Sequence, residues 1–158
     1  MGNGRTGLMS AVLLGWAGTA SAACQIDSVQ IRGSDGRTMQ FRVEVADDGA
    51  ERAQGLMFRE QMASSAGMLF VYDRPQRTRF WMENTLIPLD MIFADAAGRV
   101  TTVHSNAIPR DRTPIDGGAG VQFVLEINGG LATRLGIAPG SELRHPAIDQ
   151  TNAAWPCD

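Results

Sequence analysis

Phe80-Trp81-Met82-Glu83-Asn84-Thr85-Leu86-Ile87-Pro88-Leu89-Asp90-Met91-Ile92-Phe93 is the longest strongly apolar run outside the N-terminus, and its reading decides the fold. Glu83, Asn84, Thr85 and Asp90 sit among its large hydrophobes. Buried polar groups cost free energy unless they find partners. The stretch is therefore either a core hairpin with satisfied polar groups or the wall of a site. Pro88 cannot donate to a ladder and pushes Ile87 to an extended conformation. Glu83 to Pro88 thus reads as a bend and Leu89 to Ala94 as a strand. Leu89, Met91 and Phe93 share one face of that strand, and Asp90 and Ile92 the other.

Strand signals dominate on both sides of this run. Val29 and Ile31 alternate with polar neighbours, Gly33-Ser34-Asp35-Gly36 is a turn, and Met39, Phe41, Val43 and Val45 alternate again. Asp48 and Glu51 make a capping-box signature for a helix over about 49–58, with Ala53, Leu56 and Met57 on its buried face. Gly67 to Tyr72 is a short apolar strand, followed by a turn at Asp73-Arg74-Pro75-Gln76-Arg77, and Arg79 to Met82 begins the next strand. Val100 to His104 is a further strand. Ser105 to Gly120 reads as a long polar loop, a length that is usually functional or mobile. Val121, Phe123, Leu125 and Ile127 alternate, a short helix follows at about 131–135, and Glu142 to Arg144 is a last short strand. The expected fold is mainly β (α+β), one compact barrel or sandwich with two short helices.

A chain of 158 residues suits one domain. The net charge of −3 offers no basic field for a nucleic-acid backbone, although all 14 basic residues are Arg. Arg5, the apolar run from Leu8 to Trp16 and the small residues Thr19-Ala20-Ser21-Ala22-Ala23 read as a secretory leader over 1–23, leaving 24–158 as the mature domain. The apolar run is too short for a transmembrane helix, which needs about 20 residues. Export to the periplasm makes the two cysteines, Cys24 and Cys157, a natural disulfide. The competing reading is a lipid-anchored Cys24. Ser21-Ala22-Ala23 lacks the large aliphatic residue usual three places upstream of a lipidated Cys, and lipidation would leave Cys157 unpaired.

Gly55-Leu56-Met57 with Arg59, Gly67-Met68-Leu69-Phe70, Phe80-Trp81-Met82-x-Asn84-Thr85-x-Ile87-Pro88-Leu89-Asp90-Met91-Ile92-Phe93 and Val124-Leu125-Glu126-Ile127-Asn128 occur in one order. In this the chain resembles the domain-of-unknown-function family 192, small bacterial and archaeal proteins that are often exported. The resemblance spans about 41–144 and implies a small, mostly β fold with no established activity. Position 83, often basic in the family, is Glu83 here.

No nucleophile elbow, phosphate loop, dinucleotide fingerprint or Cys-x-x-Cys is present, so no cofactor is expected. His104 and His145 stand apart from each other, and no metal site is expected. Asp90 and Glu126 each interrupt an apolar strand. They are candidate acid–base residues for a hydrolase or lyase, or else structural carboxylates paired with Arg52 and Arg59. Trp81 is either a ligand platform or packing for a second sandwich face. Arg74, Arg77, Arg79, Arg110 and Arg112 form a basic cluster or a solvated surface.

These residues point to a binding module rather than an enzyme. It would hold a small polar or anionic molecule, or an envelope partner, near Arg52, Arg59, Trp81, Asn84, Thr85, Asp90 and Glu126. Nucleic acid is not an expected partner, and a monomer is expected. A structural or assembly role would instead show as a contiguous exposed apolar patch.

Overall fold

The computed structural model describes residues 1–2 and 23–157, so the expected leader over 3–22 lies outside the described residues. The chain runs β1 (Ser28–Arg32), β2 (Thr38–Ala46), α1 (Gly49–Gln54), β3 (Ala66–Phe80), β4 (Leu89–Ala94), β5 (Val100–Ala107), β6 (Ile115–Asn128), α2 (Leu131–Leu135) and β7 (Glu142–Arg144). The strands form one seven-stranded sheet in the order β5-β4-β6-β3-β2-β1-β7. Every pairing is antiparallel except β2 with β3, which is parallel and is reached through the crossover that carries α1. The sheet curls until its two edges touch. An isolated bridge joins Arg99 to Glu142, and the Val100 amide donates to the Ser141 carbonyl at 2.8 Å. The result is a barrel-like mainly β domain.

Alternation along each strand sends side chains to two separate cores. The inner one gathers Val29, Ile31, Phe41, Leu69, Ile92 and Leu125 beneath α2. The outer one gathers Phe70, Met82, Leu89, Met91, Phe93 and Val124 beneath the segment after α1. β4 lies between them, and all six of its residues are buried. That explains a strand with almost no polar face: neither side of it meets water.

The expected capping box is present, with the Asp48 carboxylate accepting from the Glu51 amide at 2.8 Å. The helix is shorter than 49–58. Gly55 takes φ 50°, a left-handed value that ends α1, and the Phe70 ring lies 3.2 Å from where a Cβ there would sit. Ala53 is exposed, whereas Leu56 beyond the helix is buried.

Two further expectations are corrected. The turn expected at 73–77 is continuous strand, because β3 runs on as an arm paired with β6, and register shifts between Val71 and Thr78 accommodate Pro75, which has no N–H. The loop expected over 105–120 shrinks to the segment between β5 and β6. Its glycines belong to the strand partner of that arm, where Phe93 and Thr78 would stand 2.3 and 2.6 Å from a Cβ on Gly117.

Cys24 and Cys157 are disulfide-bonded across a sequence separation of 133. The C-terminal tail lies over the β1–β7 edge, where Arg32 and Arg144 both stack on Trp155 and the Arg144 Nε donates to the Pro156 carbonyl. His145 is buried beside them. Its Nδ1 accepts from the Ala147 amide, and its Nε2 lies 2.9 Å from the Ile26 carbonyl. Burial pushes its imidazole below the usual range, with the Ile26 carbonyl acting in the opposite sense. The other histidine, His104, is exposed on β5, far along the chain from His145. Among the described residues no helix is long and apolar enough to cross a membrane.

Candidate functional site

The two carboxylates that interrupt apolar strands have opposite fates. Asp90 pairs in register with Ile127, and its neighbour Met91 with Glu126, so Asp90 and Glu126 occupy opposite faces of the sheet. Asp90 is fully buried and turns inward. One of its oxygens accepts from the Asn106 and Gly130 amides at 2.6 and 2.9 Å, and the other from Ala132 at 2.7 Å. It ties β5 and the start of α2 to β4. The expectation that Arg52 or Arg59 partners it is incorrect, since backbone amides satisfy it instead.

Glu126 faces the outer core with 4% of its surface exposed. Its backbone is paired in the sheet, but its carboxyl makes no hydrogen bond and no ion pair among the described residues. Burial alone pushes its carboxyl up to about 8. It opens into a small cleft of about 50 Å³ that is also lined by Arg52, Gly55, Met57, Phe80, Trp81 and Thr85. Phe70 and Phe80 meet edge to face at 5.1 Å and form its back wall. Trp81 is 50% exposed, so it does not fill a second sandwich face but stands at the mouth.

Arg52 is committed elsewhere. Its guanidinium donates to the carbonyls of Asp47 and Val71 and lies 5.1 Å over the Tyr72 ring, pinning the crossover segment to β3. Burial pushes the Tyr72 phenol up, against the pull of Arg52 and with a smaller push from Glu126. Arg59 lies outside the cleft in a bidentate pair with Glu44 at 2.6 and 2.5 Å. That hydrogen-bonded pairing raises Arg59 and lowers Glu44 from their usual ranges. Asn84 sits at the rim, its Nδ2 3.9 Å from the Met57 sulfur. The structure therefore brings Arg52, Trp81, Thr85 and Glu126 together, places Asn84 beside them, and leaves Arg59 and Asp90 elsewhere.

The loops around the cleft are laced by backbone hydrogen bonds. The Phe58 amide donates to the Asn84 carbonyl, Met82 to Asp111, and Arg110 to Thr85. Among the described residues, every non-glycine position with positive φ lies in or next to these loops: Phe58, Asn84, Asn106 and Arg110. Asparagine tolerates that conformation, but a bulky Phe or an Arg there costs on the order of 1 kcal/mol or more, and such strain concentrates at functional sites. Sequence reasoning missed Phe58, and it missed Met57 and Phe70 as parts of a site. Their signal was the Gly55-Leu56-Met57 and Gly67-Met68-Leu69-Phe70 motifs, which mark positions without assigning roles. In the basic cluster, Arg77 pairs with Asp116 at 2.5 Å and Arg112 with Glu83 at 2.8 Å, all near the surface. Among the described residues no three His, Cys, Asp or Glu side chains gather where they could hold a metal ion.

The family model DUF192, described as an uncharacterised ACR, matches residues 30–145. The chain belongs to the DUF192 family. Solved structures agree with that membership. A protein of Sinorhizobium meliloti 1021, described as a candidate transcription regulator, is 39% identical with a TM-score of 0.76, over 80% of this chain and 98% of its own. A protein of unknown function from Novosphingobium aromaticivorans DSM 12444 is 41% identical with a TM-score of 0.72, over 90% of this chain and 99% of its own. No curated protein matches the chain. The DUF192 match covers every residue of the cleft, from Arg52 to Glu126.

The cleft predicts a pH signature. A carboxyl whose value is raised on folding holds its proton in the native state where the unfolded chain has lost it. Stability is therefore greatest below about pH 4.5 as far as this group is concerned, and falls as pH rises from there to about 8. The slope reaches at most about 1.4 kcal/mol per pH unit. His145 works in reverse: a lowered imidazole costs stability as pH falls below about 6.5. Urea midpoints of wild type and Glu126→Gln between pH 6.5 and 9 isolate the first effect. Wild type is expected to weaken across that range and the variant to stay flat. Parallel curves would show that Glu126 is ionised in the folded protein.

Proposed function

We propose that this chain is an exported binding protein that seats a small polar molecule between Trp81 and Glu126. One observation carries the reading: a buried carboxyl without a partner opens into a cleft whose mouth holds a half-exposed indole. Buried polar groups are normally satisfied, so an unsatisfied one facing a cleft is a place for a ligand. The strained loops around it support the same location. Export is supported by the leader pattern and by the disulfide, which belongs in an oxidising compartment. Nucleic acid is not the proposed partner, because the net charge is −3 and Arg77 and Arg112 are engaged by Asp116 and Glu83.

The paired-carboxylate hydrolase or lyase loses its second member, since Asp90 is on the other face of the sheet. A thermal-shift screen of small neutral, anionic and cationic molecules tests the binding reading. A ligand at one hundred times its Kd raises stability by about 2.7 kcal/mol. The gain is expected in wild type and is expected to disappear in Trp81→Ala. Stabilisation that survives Trp81→Ala would move the site elsewhere. Chemical conversion of a bound molecule would replace binding with proton transfer by Glu126 alone, a role its raised value suits.

A further inference from the structure

We propose that the cleft recognises an uncharged amide or lactam edge, a C=O and an N–H side by side, held against the Glu126 carboxyl; this assignment rests on the binding reading above. The charges on the cleft walls carry the argument. An anion presents acceptors alone, so beside the bond from the Glu126 O–H its second oxygen would face the other Glu126 oxygen lone pair to lone pair. The Arg52 guanidinium in the cleft wall, still charged, is tethered through Nη1 to the Asp47 and Val71 carbonyls over the Tyr72 ring. A cation would approach that same guanidinium and would also require Glu126 to ionise, which its burial opposes. A neutral ligand meets neither obstacle.

The hydrogen-bonding pattern then selects among neutral groups. A protonated carboxyl presents one O–H donor and one carbonyl acceptor from a single planar group. An amide edge answers both at once: its carbonyl accepts from the Glu126 O–H while its N–H donates to the other oxygen. A ketone or an ether answers only one and leaves a buried polar atom bare. Thr85 can add a further contact, because its hydroxyl is otherwise held only by a 3.4 Å bond to the Glu83 carbonyl. With about 50 Å³ inside, the cleft takes the polar edge of the ligand, and the hydrocarbon body rests at the mouth against Trp81 and Met57.

The test uses the mature, disulfide-bonded chain with methyl-labelled methionine, read at the Met57 methyl in the cleft wall, with δ-valerolactam, n-butylammonium and butyrate as probes. At pH 6.5 the lactam is expected to shift the Met57 signal saturably and the two ions not to. At pH 9.5 lactam binding to wild type is expected to weaken at least about tenfold as the O–H donor is lost. Glu126→Gln, which keeps one donor and one acceptor, is expected to bind at both pH values, and Glu126→Ala at neither. Butylammonium binding that Glu126→Gln abolishes, or butyrate binding, would overturn the amide assignment while leaving the cleft a binding site. Failure of all three probes would overturn both readings. The pH comparison in wild type stands by itself if a variant does not fold.

Discussion

Asp90→Ala is expected to cost on the order of 3–6 kcal/mol, enough to leave much of the protein unfolded at moderate denaturant. The buried carboxylate accepts three backbone amides. Truncation strands one buried donor, Ala132, and two part-buried ones, Asn106 and Gly130, at about 1–3 kcal/mol each, and relaxation and water at the part-buried pair keep the total below the maximum. Domains of this size hold about 5–15 kcal/mol in all. Asp90→Asn helps little, because its NH₂ would point at N–H groups on one side or the other. Urea unfolding gives the loss, and hydrogen exchange at Asn106, Gly130 and Ala132 locates it. A cost under about 1 kcal/mol with those amides still protected would mean that they have other acceptors.

The second large effect is at the termini. Replacing both Cys24 and Cys157 by Ser is expected to lower stability by about 4–5 kcal/mol, the chain-entropy value for a loop of this length. The cross-link closes a loop with a sequence separation of 133, so it removes more freedom from the unfolded state than a local bridge would. The tail has further attachments in Trp155, Arg144 and the bond from the Cys157 amide to the Gln150 side chain. These keep the native structure intact after reduction and place the loss in the unfolded ensemble. The urea midpoint with and without a thiol reductant measures it. An unchanged midpoint would show that the unfolded chain is already compact enough for the bridge to add nothing.

How far the sequence speaks differs by residue, for physical reasons. The alternation of Leu89, Met91 and Phe93 against Asp90 and Ile92 was legible because a strand has a period of two wherever it lies. The capping box was legible because its partners are three residues apart. The arm of β3 was not: Asp73 and Pro75, like the glycines 117, 118 and 120 of β6, have turn chemistry, and only the pairing of β3 with β6 some 40 residues away makes them strand. Glu126 and Trp81 were visible as anomalies in apolar runs. Their shared cleft depends on the crossover after β2 and on the bend at 81–88, which no local pattern reports. The partners of Asp90 were misread for the same reason. Arginine is the usual partner of a buried carboxylate, and the fold supplied backbone amides from two distant segments instead.

The division of the sheet into two cores has a consequence for how such a chain can diverge. Along β4 and β6, adjacent residues face different ways: Asp90 and Ile127 toward the core beneath α2, Met91 and Glu126 toward the outer core, where Glu126 also lines the cleft. A descendant can remodel its pocket by changing every other residue and leave the intervening ones untouched. Kinship in this lineage should therefore be read from one set of alternate positions, and, on the binding proposal above, the choice of ligand from the other.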